Sequence, residues 1–383
     1  MEIPFHKPYI TDDEVGQVLD TVRSGWLTMG PKTFLFERGF SQYTGAPHSV
    51  AVSSGTAALH LALRAIGLKP GDEVIVPTMT FTATAEVVCY FDALPVLADI
   101  ESDTGNVDAS AIEKLITPRT RAVIPVHYGG QPCDMDAILD IARRKNIYVI
   151  EDAAHCPPAS YRGKPVGTIG DMTCFSFYAT KPLCAGEGGM VTTGNEEWAE
   201  RIRMLRLHGI SRDAWKRYAT GGSWYYEVTE AGYKYNLTDI QAALGISQLR
   251  KLDAMREMRK CIAERYTEAL SGTETLTPLA LRPERSSSHH LYVLGIDPEA
   301  HDIDRAGFIE ELGRRGIGTS VHFIPLHRHP FYRSTFGYES SDFPAAERLY
   351  ERIISLPIYP GLSARETDYV IESIKDVSSK HSK

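Results

Sequence analysis

Along the first two-thirds of the chain, short apolar runs alternate with stretches whose apolar residues recur at helical spacing. The runs at 49–52, 73–77, 94–100, 122–127, 147–152 and 174–178 are brief and apolar, which predicts strands. Residues 189–192 follow as one more. Between them, 56–66 places Leu59, Ala62, Leu63 and Ile66 on one face, and Gly67 stops the pattern. Residues 134–145 form a second amphipathic stretch. Strand and helix in alternation predict βαβ units and a mostly parallel sheet.

From Thr238 the character changes. Thr238 and Gln241 have the T-x-x-Q spacing of a capping box, opening a helix expected to run to about residue 270. A smaller α+β pattern follows, with a strand at 290–296, a helix at 304–315 and a strand at 318–323. Ser363 and Glu366 repeat the capping-box spacing before a last helix. The expected fold is therefore α/β: a large domain with a mostly parallel sheet flanked by helices, then a smaller C-terminal α+β domain. The boundary falls inside the long helix, giving 1–251 and 252–383.

Composition narrows the function. A chain of 383 residues has room for two such parts, and 43% hydrophobic with 23% charged residues is ordinary for a globular protein. The formal charge of −8 and the lack of any long Lys/Arg run argue against a nucleic-acid partner. No apolar run is long enough to span a bilayer and no signal core opens the chain, so no membrane partner and a cytoplasmic location are expected. Cys89, Cys133, Cys156, Cys174, Cys184 and Cys261 show no C-x-x-C spacing, which argues against a disulfide framework or a cysteine zinc site.

Four features sit at expected strand ends or loops, where open α/β sheets bind ligands. Ser53-Ser54-Gly55-Thr56 joins a strand to a helix. Free N–H groups and the positive dipole end there suit a phosphate, though a plain N-cap reads the same way. Asp152 ends an apolar run. A carboxylate there can pair with a protonated pyridine nitrogen, or it can simply cap a helix. Phe175-Ser176-Phe177-Tyr178-Ala179-Thr180-Lys181 delivers a lysine to a loop that leaves through Gly186-Glu187-Gly188-Gly189. Lysine amines form Schiff bases with aldehydes, and glycines let backbone pass close to a bound ring. The alternative is a solvated surface lysine. Tyr233-Lys234-Tyr235-Asn236 precedes the long helix and is either a reach into a neighbouring site or an ordinary entry loop.

Taken together, Ser54-Gly55-Thr56-Ala57-Ala58-Leu59, Glu151-Asp152-Ala153-Ala154-His155, Ser176-Phe177 before Lys181, Gly186-Glu187-Gly188-Gly189 and Gly232-Tyr233-Lys234-Tyr235-Asn236 resemble the DegT/StrS-type nucleotide-sugar aminotransferases, which are fold-type-I pyridoxal-phosphate (PLP) enzymes. The resemblance covers nearly the whole chain. It looks closest to the 4-keto-sugar transaminases, such as the one making UDP-4-amino-4-deoxy-L-arabinose, on Ser24-Gly25-Trp26, 126–130 and 318–323. It implies that Lys181 carries the cofactor as a Schiff base and acts as the catalytic base. Asp152 would pair with the ring nitrogen, and Gly55, Thr56 and Ser176 would hold the phosphate. Phe81 would stack on the ring, with His155 close by. Asn236 would reach the partner subunit's cofactor, making the active unit a homodimer. Lys234, His322, His327, Arg328 and His329 are the candidates for substrate. The three histidines have no Cys or carboxylate at ligand spacing, so no metal is expected.

The implied reaction moves an amino group from L-glutamate to a nucleotide-linked keto sugar, UDP or TDP, at C4, with C3 as the alternative. A sugar dehydratase of the same fold carries histidine where this chain has Lys181. Intact Lys181, Asp152 and Ser176 argue against a non-catalytic PLP-binding regulator. A nicotinamide oxidoreductase would show G-x-G-x-x-G after the first strand, and none is there.

Overall fold

The computed structural model describes residues 1–210, 225–270, 272, 273 and 275–383. Its N-terminal two-thirds runs α1 (Asp12–Ser24), α2 (Pro31–Thr44), β1 (His48–Val52), α3 (Gly55–Ala65), β2 (Glu73–Pro77), α4 (Ala83–Cys89), β3 (Leu94–Ala98), α5 (Ala109–Leu115) and β4 (Thr120–Val123). There follow α6 (Met135–Lys145), β5 (Tyr148–Asp152), the short β6 (Ser160–Tyr161) and β7 (Lys164–Pro165), then β8 (Met172–Ser176), β9 (Gly189–Thr193) and α7 (Glu196–Leu205). Seven strands make one sheet in the order β1-β9-β8-β5-β4-β2-β3. β9 is antiparallel to both neighbours, and every other pairing is parallel.

The strands expected in this part of the chain all appear, with shifted ends. The continuous ladder of the 122–127 run ends at Val123, because Pro125 has no N–H to give, and a single bridge from Val126 to Asp152 follows. Phe177 and Tyr178 leave the ladder after Ser176 and begin the loop that carries Lys181. The central strands read as continuous apolar runs because helices cover both faces. α3 shows the same logic: Leu61, Ala62 and Leu63 are fully buried, so this helix is apolar well beyond one stripe.

The C-terminal third holds α8 (Asp239–Arg250), α9 (Leu252–Leu270), β10 (Leu276–Pro278), β11 (Arg285–Ser286), β12 (Tyr292–Ile296), α10 (Arg305–Arg314), α11 (Pro330–Phe336), α12 (Pro344–Arg352), β13 (Ile353–Leu356) and α13 (Ala364–Lys380). The single long helix expected after Thr238 is two helices. Both capping boxes form as the spacing predicts, at Thr238–Gln241 and Ser363–Glu366. The break is at Lys251, whose N–H turns back to the Gln248 and Leu249 carbonyls while its ammonium pairs with Glu14 on α1. The expected strand at 318–323 is also corrected. Its backbone makes single bridges, Ile317 to Ile3 and Ser320 to Ser355, and the edge of the small sheet is β13, in the order β10-β12-β13. The same segment brings His322 and Phe323 to the lining of a cleft.

Two of the apolar cores tie the C-terminal third to the rest of the chain. One joins α3 and the sheet, through Val50, Leu61, Val74 and Ile150, to Leu326, Tyr332, Phe343 and Leu349 from the C-terminal third. The other gathers Ile262, Tyr266, Leu294, Ile354, Leu356 and Ile374 around Ile3 from the N-terminal arm. Both ends of the chain are thus built into the C-terminal layer. Among the described residues, no helix is long and apolar enough to cross a membrane.

Candidate active site

The C-terminal ends of β2, β5 and β8 and the N-terminus of α3 converge on a cleft of about 410 Å³. Its lining includes His6, Gly55, Thr56, Phe81, Asp152, His155, Ser176, Lys181, His290 and His322. Sequence separation is large, but each residue arrives for a local reason.

At the start of α3, Ser54 caps the helix by accepting the Ala57 N–H at 3.0 Å. The next N–H groups, of Gly55 and Thr56, have no partner within the helix. Gly55 has no room for a side chain, since a Cβ would come within 2.9 Å of the Ser176 Cβ. Gly189 is equally constrained, with a Cβ position 2.3 Å from the Ser54 oxygen. These two glycines let the end of β8, the start of β9 and the start of α3 close around one point. The result is a cradle of free N–H groups, Thr56 and the Ser176 hydroxyl at a positive helix end, the chemistry a phosphate requires.

Asp152 ends β5 with only 5% of its surface exposed. Burial pushes its carboxyl up, and the opposing influences are the Ala154 N–H, the Thr84 hydroxyl, Lys181 and His127. Lys181 sits in the loop between β8 and β9. Burial pulls its amine from 10.5 down to about 8, against the pull of Asp152. An amine at that value is partly neutral near physiological pH, so it can act as a nucleophile and as a base.

Imidazoles and aromatic rings wall the rest. His155 accepts the Gly129 N–H at Nδ1, 3.1 Å away, so a neutral ring carries its proton on Nε2. Its ring lies 4.6 Å from that of His290 and stacks on Phe323 at 5.7 Å. Burial, then Lys181, holds His155 well below the usual histidine range. His322 Nδ1 is 2.9 Å from the Ser355 hydroxyl, and burial with Lys181 lowers it to about 4. Phe81 is 60% exposed at the mouth, 6.2 Å from Phe323.

The structure does not bring every sequence candidate to this cleft. His327 is buried against the Thr78 hydroxyl at 2.7 Å and Glu347 at 2.6 Å. Arg328 is committed to the same Glu347 and lies over the Tyr350 ring. His329 lines an adjoining hollow with Phe81, Phe323 and Phe331. Of the three histidines 322, 327 and 329, only His322 lines the main cleft. Lys234 bonds to Asn236, which bridges to Val52 in a strand-like pairing, and neither lines the cleft of its own subunit. Among the described residues, no group of His, Cys, Asp and Glu is placed to hold a metal ion.

An amine, a buried carboxylate and an anion cradle around one cleft match the aldehyde, ring nitrogen and phosphate of PLP, so the residues present fit that cofactor. The family model of the DegT/DnrJ/EryC1/StrS aminotransferases matches residues 8–375. The chain belongs to that family. It is 53% identical over 379 residues to protein MJ1066 of Methanocaldococcus jannaschii, covering 99% of this chain and 98% of that one. It is 49% identical over 376 residues to the spore coat polysaccharide biosynthesis protein SpsC of Bacillus subtilis, covering 98% and 97%. Among solved structures it is similar to Spr1654 of Streptococcus pneumoniae, assigned as a sugar aminotransferase, in its PMP form. The TM-score is 0.94 at 38% identity, over 99% of this chain and 100% of that one. The PLP form of the same protein superposes with a TM-score of 0.93. The protein is thus a PLP-dependent sugar aminotransferase.

Three cleft residues escape a sequence reading of this aminotransferase. His6 comes from the N-terminal arm, and its buried Nε2 has no hydrogen-bond partner. His290 reads only as the start of a strand. Thr84 reads as one more residue of a short helix, and its one signal is the T-x-x-x-T spacing with Thr80, which is indistinguishable from a cap.

Proposed function

We propose that this enzyme transfers the amino group of L-glutamate to a nucleotide-linked 4-keto sugar, UDP- or TDP-linked, giving a 4-amino-4-deoxy sugar nucleotide and 2-oxoglutarate. The observation that carries the proposal is Lys181, an amine of lowered basicity, sharing one cleft with a buried Asp152 and the α3 cradle. The name of SpsC supports a role in supplying sugars for polysaccharide.

When bound, PLP supplies an electron sink that lets the donor's Cα proton leave. Lys181 would anchor the cofactor through Nζ and, once freed by the donor, take the Cα proton at Nζ and later give one back. Asp152 would hold a proton on the ring nitrogen. The Gly55 and Thr56 N–H groups and the Thr56 and Ser176 hydroxyls would hold the phosphate. Phe81 and His155 would flank the ring, and Phe323 behind His155 limits the water that enters. His322, fixed by Ser355, would meet the acceptor sugar. His327 and Arg328 would act through the wall, bracing Thr78 after β2 by way of Glu347, and His329 would meet the nucleotide end from the adjoining hollow. Lys234 and Asn236 would serve the partner's site, so the working unit is a homodimer. The division at 251/252 is part of the same proposal, supported by the helix break at Lys251.

The test is the absorbance spectrum of the purified protein before and after L-glutamate. A bound-cofactor band that shifts to the pyridoxamine form establishes the donor half-reaction. UDP- and TDP-linked 4-keto sugars, then a 3-keto sugar, are next added in turn, and the one that restores the first band is the acceptor. No band after supplying PLP, or no shift with L-glutamate, sinks the proposal.

A further inference from the structure

Asp152 is nearly sealed from water, which by itself favours the neutral acid. Its partners counter that preference with a fixed polarity. Thr84 Oγ1 lies 2.8 Å from Asp152 Oδ2, and when Asp152 is ionised, as pairing with a protonated ring nitrogen requires, the carboxylate has no proton to give and the hydroxyl is the donor. That commits the only hydroxyl proton of Thr84. The 2.8 Å contact between Thr80 Oγ1 and Thr84 Oγ1 must then run from Thr80 to Thr84. Two hydroxyl dipoles therefore point head to tail at Oδ2, while the Ala154 N–H takes Oδ1 at 3.0 Å. Both threonines are buried, at 2% and 0% exposure, and they come from the turn after β2 and the first turn of α4.

We propose that Thr84 is a positioning residue that fixes the rotation of the Asp152 carboxylate and keeps it ionised, with Thr80 as the donor that polarises it. This rests on the reading of Asp152 as partner of the ring nitrogen and deepens it. The other groups facing Asp152 are Lys181 from the β8–β9 loop, His127 after β4, Glu151 on its own strand, and the buried thiols of Cys156 and Cys174. His127 and Glu151 form a closed pair of their own. The Cys133 N–H donates to His127 Nδ1, so the Nε2 proton goes to Glu151 at 2.8 Å. Among the uncharged side chains of the described residues, the Thr80–Thr84 relay is the one aimed at the carboxylate.

Thr84→Val keeps the shape and removes the donor. The readout is the titration of the Asp152 carboxyl carbon by NMR in apo-protein with labelled aspartate, assigned by its loss in Asp152→Asn. The midpoint moves up in Thr84→Val, moves up less in Thr80→Val and returns towards the native position in Thr84→Ser. PLP binding at neutral pH weakens about tenfold in Thr84→Val, the scale of one hydrogen bond to a charged group. An unchanged midpoint in both valine variants overturns the proposal and leaves the threonines as packing. If Thr84→Val does not fold, Thr80→Val and Thr84→Ser decide by the same titration. A native protein that binds no PLP sinks the reading of Asp152, whereas the apo titration judges the relay independently.

Discussion

Lys181 illustrates how burial makes a reagent of an ordinary side chain. Its amine falls to about 8 because the cleft withholds water, and Asp152 recovers only part of the loss. The same effect must appear as instability of the apo-protein. Below pH 8 the lysine is protonated in both the folded and the unfolded chain, and the folded state bears the full burial penalty. Between about 8 and 10.5 the unfolded chain keeps a proton the folded one has released, so stability rises with pH, and above 10.5 the penalty is gone. Lys181→Met should therefore stabilise the apo-protein by roughly 2 kcal/mol at pH 7, discounted for the cleft water the amine still meets. Urea unfolding across pH tests this: the advantage of the variant shrinks from pH 8 upward. An advantage that is absent at pH 7, or that grows with pH, means the amine is not depressed.

Among the elements, α8 does more than cover the sheet. Its first residue, Asp239, is buried and caps a different helix. Asp239 Oδ1 accepts from the Gly30 N–H at 2.8 Å, the Thr33 N–H at 2.9 Å and the Thr33 hydroxyl at 2.7 Å, and Oδ2 accepts from the Lys32 N–H at 3.0 Å. Those are the free donors at the start of α2, which begins at Pro31 and has no side-chain cap of its own. Asp239→Ala strands buried N–H groups and should cost about 3 kcal/mol. Thermal unfolding checks this, and a loss under 1 kcal/mol means α2 is held instead by the burial of its own Phe36 and Phe40. Local sequence shows none of this. Pro31 predicts a helix start, and Asp239 reads as an acidic first-turn residue of α8. The long-range cap exists because α2 and α8 pack side by side.

For the whole molecule, the cleft of one chain is open where Phe81 and Tyr178 are exposed, while Lys234 and Asn236 lie outside it. The proposed homodimer, in which Asn236 completes the partner's site, would account for both. The prediction is complementation. Lys181→Arg and Asn236→Ala variants are each nearly inactive alone. Subunits exchanged in equal amounts pair at random, so half the dimers are mixed and each mixed dimer has one intact site, giving roughly a quarter of native activity. No recovery after verified exchange means Asn236 serves its own subunit or neither.

Lys181, Asp152, Gly55 and Ser176 were legible because the chain presents each beside a strand end with a local signature: a cap, a terminal carboxylate, a glycine-rich exit. The strand–helix alternation was legible for the same reason, since burial on two faces writes apolar runs directly into the sequence. What the sequence could not determine depends on which distant segments touch. The break at Lys251 follows from its pairing with Glu14 on α1. The segment 318–323 reads as a strand, yet it finds only a single bridge, Ser320 to Ser355, at the edge of the small sheet. His327 and Arg328 turn to Glu347, and Thr84 of α4 meets Asp152 across a separation of 68 residues. Periodicity and capping are written residue by residue, whereas the partner of a buried polar group is chosen only when the layers close and water is excluded.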